Sequence, residues 1–130
     1  MKNELDISLL LLRVTFGGLM LINHGWGKMM KFFGDDPIKF ADPIGVGETA
    51  SLALAVFAEV ICAVLIVMGF LTRWAVIPLI ITMLVAVFIV HISDPFKKME
   101  MGILYLIPYV VIWMNGAGKY SIDSLMKKSV

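Results

Sequence analysis

Four runs of about 20 mostly apolar residues, each long enough to cross a bilayer as an α-helix, leave this chain few folds to choose from. They fall at about 6–25, 49–70, 74–92 and 99–117. The chain has 130 residues, which bounds it to one domain; 60% of them are hydrophobic and 16% charged. Soluble domains are nearer half apolar and a quarter charged, and so short a chain has too little interior to hide the excess. The expectation is an all-α, polytopic membrane protein: a single transmembrane domain over 1–130, built as an antiparallel four-helix bundle in the lipid bilayer. The expected location is a cell membrane, multi-pass, of the bacterial or archaeal inner-membrane kind.

The punctuation agrees. Gly69 suits the end of helix two and Thr72 the cap of helix three. Their tight turn makes these helices antiparallel neighbours. Pro78 falls near the first turn of helix three, Pro108 lies inside helix four and should kink it, and Ser93-Asp94-Pro95 makes the last turn. Trp26, Trp74 and Trp113 fall near span ends, as interfacial aromatics do. The longest connection, Trp26 to Glu48, holds Phe32, Phe33, Phe40 and two prolines; it lies along the membrane surface or folds back as a lid. With only Lys2 against Glu4 and Asp6 before it and no A-x-A site after it, the first run reads as a retained helix and not a leader.

Charge excludes some functions and leaves orientation open. The net charge is +1, so there is no basic field for nucleic acid. Lys2, Arg73, Lys119, Lys127 and Lys128 fall on one side of the membrane, and Lys28, Lys31, Lys39, Lys97 and Lys98 on the other, so the positive-inside rule is silent. The single cysteine, Cys62, cannot form an internal disulfide, and it reads as a small packing residue.

Function should show in the ionisable residues within the spans, which are costly and face the bundle interior. Arg13 lies about 10 Å into helix one, at about 1.5 Å per residue, and Glu59 lies near the middle of helix two. The inexpensive arrangement is a structural ion pair between Arg13 and Glu59. The alternatives are an Arg13 that anchors substrate and a Glu59 that handles protons. Ser51, Ala55, Ala58 and Cys62 form a small-residue stripe beside Glu59 that favours close helix contact. Arg13, Gly17, Met20, His24 and Lys28 form one stripe on helix one. By the span count His24, Lys28, His91, Asp94 and Glu100 converge at one mouth of the bundle. There Glu59 and His24 are the catalytic candidates, and Arg13, His24, Lys28 and His91 the ligand-binding candidates. A quinone would use such donors and a proton-exchanging group; haem between His24 and His91 ranks below it. No HxxxH or HExxH spacing supports a metal site. Interfacial histidines with ordinary hydrogen bonds are the plain alternative. Tyr105, Tyr109 and Trp113 recur along helix four, as core packing first and a pocket wall second.

Several residues carry a resemblance: Arg13 with Gly17, His24-Gly25 with Lys28, Glu59, the turn Gly69-Phe70-Leu71-Thr72-Arg73, His91, and the ending Gly116-Ala117-Gly118-Lys119-Tyr120-Ser121-Ile122-Asp123. In this order they resemble the DoxX family of small four-helix membrane proteins. The family is similar to the membrane subunit of a thiosulfate:quinone oxidoreductase, and some members work as membrane partners of soluble redox proteins. The resemblance implies a membrane component of an oxidoreductase system that interacts with quinone, with the substrate-oxidising part on another protein. The competing readings are a non-catalytic anchor or assembly partner for a soluble redox protein and, after it, a small-solute or proton carrier. Whether the chain is itself an enzyme and whether it forms a homo-oligomer stay open.

Overall fold

A computed structural model describes residues 2–128, with the side chains of 2–127; the Lys128 side chain, counted above with the cations of one side, lies outside them. Every regular element among the described residues is a helix. Helix α1 runs Lys2–Met30, α2 Glu48–Met68 and α3 Thr72–Val90, and these three are long and apolar enough to cross a membrane. Helix α4, Phe96–Asn115, has 20 residues, but Lys97, Lys98 and Glu100 at its start and Asn115 at its end dilute its apolar run. A short helix α5, Ile122–Lys128, follows. The chain is a multi-pass, all-helical membrane protein.

The long helices pack in chain order. Helix α1 touches α2 and α4, α2 touches α3, and α3 touches α4. The shared core takes Met20 from α1, Ala58, Cys62, Ala63 and Ile66 from α2, Ala75, Val76, Leu79 and Met83 from α3, and Tyr105, Tyr109 and Ile112 from α4. The small residues of α2 bring the backbones together, as helices in lipid need because no hydrophobic force joins them. The tightest approach is between α1 and α2. A Cβ at Gly25 would run into the Glu59 carbonyl oxygen, and one at Gly17 would sit 2.8 Å from the Val67 side chain. The outward face is apolar, with Ile22, Leu54, Ile81 and Ile107 exposed, as a lipid-facing surface requires.

Widened π-helical turns interrupt three of the helices. They cover Arg13–Gly17 and Leu21–Gly25 in α1, Phe57–Cys62 in α2 and Ala86–Val90 in α3. Arg13, His24 and Glu59 lie inside such turns, and His91 directly follows one. Each inserts a residue into the ordinary ladder and turns side chains off the regular face, which is why such bulges gather at functional positions.

Several sequence expectations need adjustment. Thr72 does not cap α3: it is the first helical residue, and its hydroxyl has no partner. The cap comes from Asp123, whose two carboxylate oxygens accept from the Leu71 and Thr72 amides at 2.8 and 3.0 Å. Pro78 lies well inside α3, because the helix begins at Thr72. Trp113 is exposed, whereas Tyr105 and Tyr109 are core, so the aromatic stripe of α4 divides between the interior and the lipid side.

Candidate functional site

The two ends of the bundle each hold a buried charge. At the end that carries both chain termini, Arg13 is wholly buried. Its Nη1 donates to the Ile66 and Val67 carbonyls at 3.3 Å each, and its Nη2 donates to the Tyr120 carbonyl. The first two are carbonyls of the last turn of α2, where the helix dipole favours a cation; the Ile66 carbonyl also accepts from the Gly69 amide at 3.1 Å. The Asp123 carboxylate adds an attractive field. Gly69 makes the approach possible. It holds the left-handed conformation that ends α2, with φ +71°, and a Cβ there would collide with the Arg13 guanidinium and with Ser121. The Gly69 carbonyl in turn accepts from the Asp123 amide at 2.8 Å.

The expected Arg13–Glu59 ion pair is therefore corrected. Gly25 is the residue of α1 that crosses α2 at Glu59. Twelve helical residues, roughly 18 Å at about 1.5 Å each, separate Gly25 from Arg13, beyond the reach of its side chain. Arg13 also moves away from the ligand-binding group proposed from sequence, because it lies at the opposite end of the bundle from Lys28.

Glu59 pairs with Lys28 instead. The Lys28 Nζ lies 2.6 Å from Glu59 Oε1, a charge-assisted hydrogen bond; the Glu59 side chain is 1% exposed and that of Lys28 28%. The other carboxylate oxygen, Oε2, is buried with no partner. His24, one turn before Lys28, feels both charges and packs edge-on against the Tyr105 ring at 5.4 Å between centroids. Tyr105 also meets Phe16 edge-on and Tyr109 at a tilt. The Tyr109 hydroxyl donates to the Phe16 carbonyl at 3.0 Å, in the first π turn of α1. Thus Lys28, Glu59, His24 and Tyr105 gather where α1, α2 and α4 meet.

His91 is held separately. Its Nδ1 lies 2.8 Å from the Asp94 carboxylate, and both side chains are part-exposed. That hydrogen bond is the first cause holding the Asp94 carboxyl below its usual range. Among the described residues, no group of three or more His, Cys, Asp or Glu side chains is placed to hold a metal ion.

The sequence singles out Glu59, His24 and Lys28 as candidates but not the Lys28–Glu59 pair, and it gives no sign that Asp123 and Tyr120 reach the Arg13 end. Phe40 also returns to this region from the long connection: its ring lies beneath the Lys28 and Lys31 ammonium groups, 5.8 and 5.4 Å from them. Asp42 fixes the far side of that connection by accepting from the Val46 and Gly47 amides and the Ser51 hydroxyl, each at 2.9 Å.

The DoxX family model matches residues 8–92 of this chain. A relative from Haemophilus influenzae, an uncharacterized protein, is 30% identical over 79 residues, covering 58% of this chain and 52% of the relative. The chain therefore spans about half the length of that curated relative. No solved structure matches.

Proposed function

The chain belongs to the DoxX family, and on that premise we propose that it is a membrane component of an oxidoreductase system that binds a quinone at Lys28, Glu59 and His24. In this reading all four long helices cross the membrane as one antiparallel bundle, with both termini on one side of a bacterial or archaeal inner membrane. The observation that carries it is the buried Glu59 carboxylate, with one oxygen on Lys28 and the other unpartnered. An intramembrane carboxylate held this way marks proton handling before it marks stability.

A quinone suits the group chemically. Its ring oxygens accept hydrogen bonds, which Lys28 and a protonated His24 nitrogen supply. Two electrons and two protons convert it to the quinol, whose oxygens now donate. Glu59 Oε2 then accepts such a proton or releases one, and Tyr105 offers an aromatic wall. The electrons pass between the quinone and a soluble redox protein bound to the membrane face. His91 and Arg13 take no part in this step: the first is held by Asp94 and the second lies at the other end of the bundle.

The test is to purify the protein in mild detergent and measure bound quinone by extraction and mass spectrometry. The expected result is stoichiometric quinone, lost in His24→Ala. Bulk lipid alone, with no quinone in the wild type, removes this reading and leaves the anchor role. That second reading draws on the exposed Phe33 at the start of the long connection; replacing Phe32 and Phe33 by Ser would then abolish capture of the soluble partner.

A further inference from the structure

The connection between α1 and α2 is outside the spans, yet one of its residues touches the buried pair's own cation. Phe40 lies 5.8 Å from Lys28 Nζ and 5.4 Å from Lys31 Nζ, measured to the ring centroid, within the range where an ammonium is attracted to a ring face. Lys28 is the same ammonium that binds Glu59. Lys28 is part-exposed, at 28%, whereas the Glu59 side chain it holds is 1% exposed. The Phe40 ring thus sits against the accessible member of the pair.

The loop is held in this position at both sides. Lys31 Nζ donates to the Lys39 carbonyl at 3.4 Å, next to Phe40. Two residues on, Asp42 takes its three donors from Val46, Gly47 and Ser51, which ties the loop to the first turn of α2. From Phe32 to Ala41 the residues are exposed except Ile38 and Phe40, which are half-buried. The Phe40 ring meets two ammonium groups and belongs to the connection, not to a helix, so moving it need not unpack a helix.

We propose that Phe40 is the gate residue of the Lys28–Glu59 site, its ring closing over Lys28 and moving aside to admit a ligand. The proposal rests on the quinone reading only for the identity of that ligand; the gate itself concerns access to Lys28. A quinone carbonyl oxygen accepts a hydrogen bond from the same ammonium, so entry of a quinone would replace the Phe40 ring contact on Lys28 by that hydrogen bond. Aliphatic lipid chains offer no such acceptor, and the site thereby prefers ligands that carry one.

The test reads the gate without a ligand. The protein in lipid nanodiscs is treated with an amine-acylating reagent, and modification of each lysine is followed by mass spectrometry. In Phe40→Ala, Lys28 should react at least about fivefold faster, the factor that corresponds to one cation–π contact of about 1 kcal/mol, with Lys97 and Lys98 unchanged as controls. Phe40→Tyr keeps a ring and should match the wild type, which shows that the loop is otherwise intact. An unchanged Lys28 rate in Phe40→Ala overturns the gate, even if quinone is bound. A faster rate in a protein that binds no quinone leaves the gate standing and removes the quinone reading. Where quinone is bound, its exchange should be faster in Phe40→Ala and unaltered in Phe40→Tyr.

Discussion

Arg13 and Glu59 are both almost wholly buried, yet one is held by main-chain carbonyls and the other by a single side chain. The acceptors of Arg13 belong to the end of α2 and to the Tyr120 segment, and they move only if the fold does. The partner of Glu59 is Lys28, a flexible, part-exposed ammonium with a ring over it. A charge held by backbone is locked, whereas a charge held by a mobile side chain can be released and reformed. The end near Lys2 and α5 thus joins α1, α2, α3 and α5, whereas the opposite end is the one where the proposed gate would act.

That contrast breaks first at Arg13. Arg13→Met should destabilise the fold by about 3 kcal/mol or more, because charged hydrogen bonds contribute about 1.5–3 kcal/mol each and the carbonyls lose their donors. Reversible unfolding in mixed micelles measures it. A variant as stable as the wild type would show that the Arg13 knot joins nothing.

Glu59→Gln sharpens the other side. The amide oxygen still accepts from Lys28, and Lys28 can turn toward water, so the stability cost should stay near about 1 kcal/mol. Quinone-linked turnover, in contrast, should fall by about 10²-fold or more, the usual contribution of a positioned proton-transfer group. Full turnover in this variant would remove Glu59 as the proton-exchanging group and make the Lys28 pair merely structural.

How much of this could be read from the chain follows the same division. The apolar runs announced the helices, and the small-residue stripe announced that Glu59 faces inward, because both signals live in side-chain type. The partner of Arg13 could not be read so. Its acceptors are backbone carbonyls of Ile66, Val67 and Tyr120, whose side chains say nothing about them. Lys28 was missed as the partner of Glu59 because depth counted along regular helices favoured Arg13; the Gly25 crossing and the π turns set a different register. Asp123 caps α3 from 51 residues away, and no local capping rule reaches that far.

Asp123 offers a smaller test of the locked end. Asp123→Ala removes both acceptors from the start of α3 and should cost about 1–2 kcal/mol, the range for a lost N-cap. Asp123→Asn keeps one acceptor and should cost less. Differential scanning or denaturant titration in detergent would rank the two. Equal and negligible losses would mean that water caps α3 as well as Asp123 does, and the joining role would then rest on Arg13 alone.

The smallest expected effect lies at the changeable end, in the Asp42 clasp. Asp42 is held below its ordinary value of 3.8, first by the Ser51 hydroxyl and then by the Gly47 amide, with Val46 adding to them and burial opposing. A carboxyl whose folded value is depressed stabilises the structure above its unfolded value and loses that contribution as pH falls through the folded one. The clasp should therefore be constant from neutral pH down to about 5, and should loosen only below the ordinary carboxylate range. Amide resonances of Val46 and Gly47 would shift together in that acid window and stay flat in Asp42→Asn. Removing the clasp at neutral pH, in Asp42→Ala, should also raise the Lys28 acylation rate, because Phe40 and Asp42 belong to one short segment. Amides that shift while Lys28 does not respond would separate the loop's anchor from its gate, and would place control of the Lys28–Glu59 site in the Phe40 ring alone.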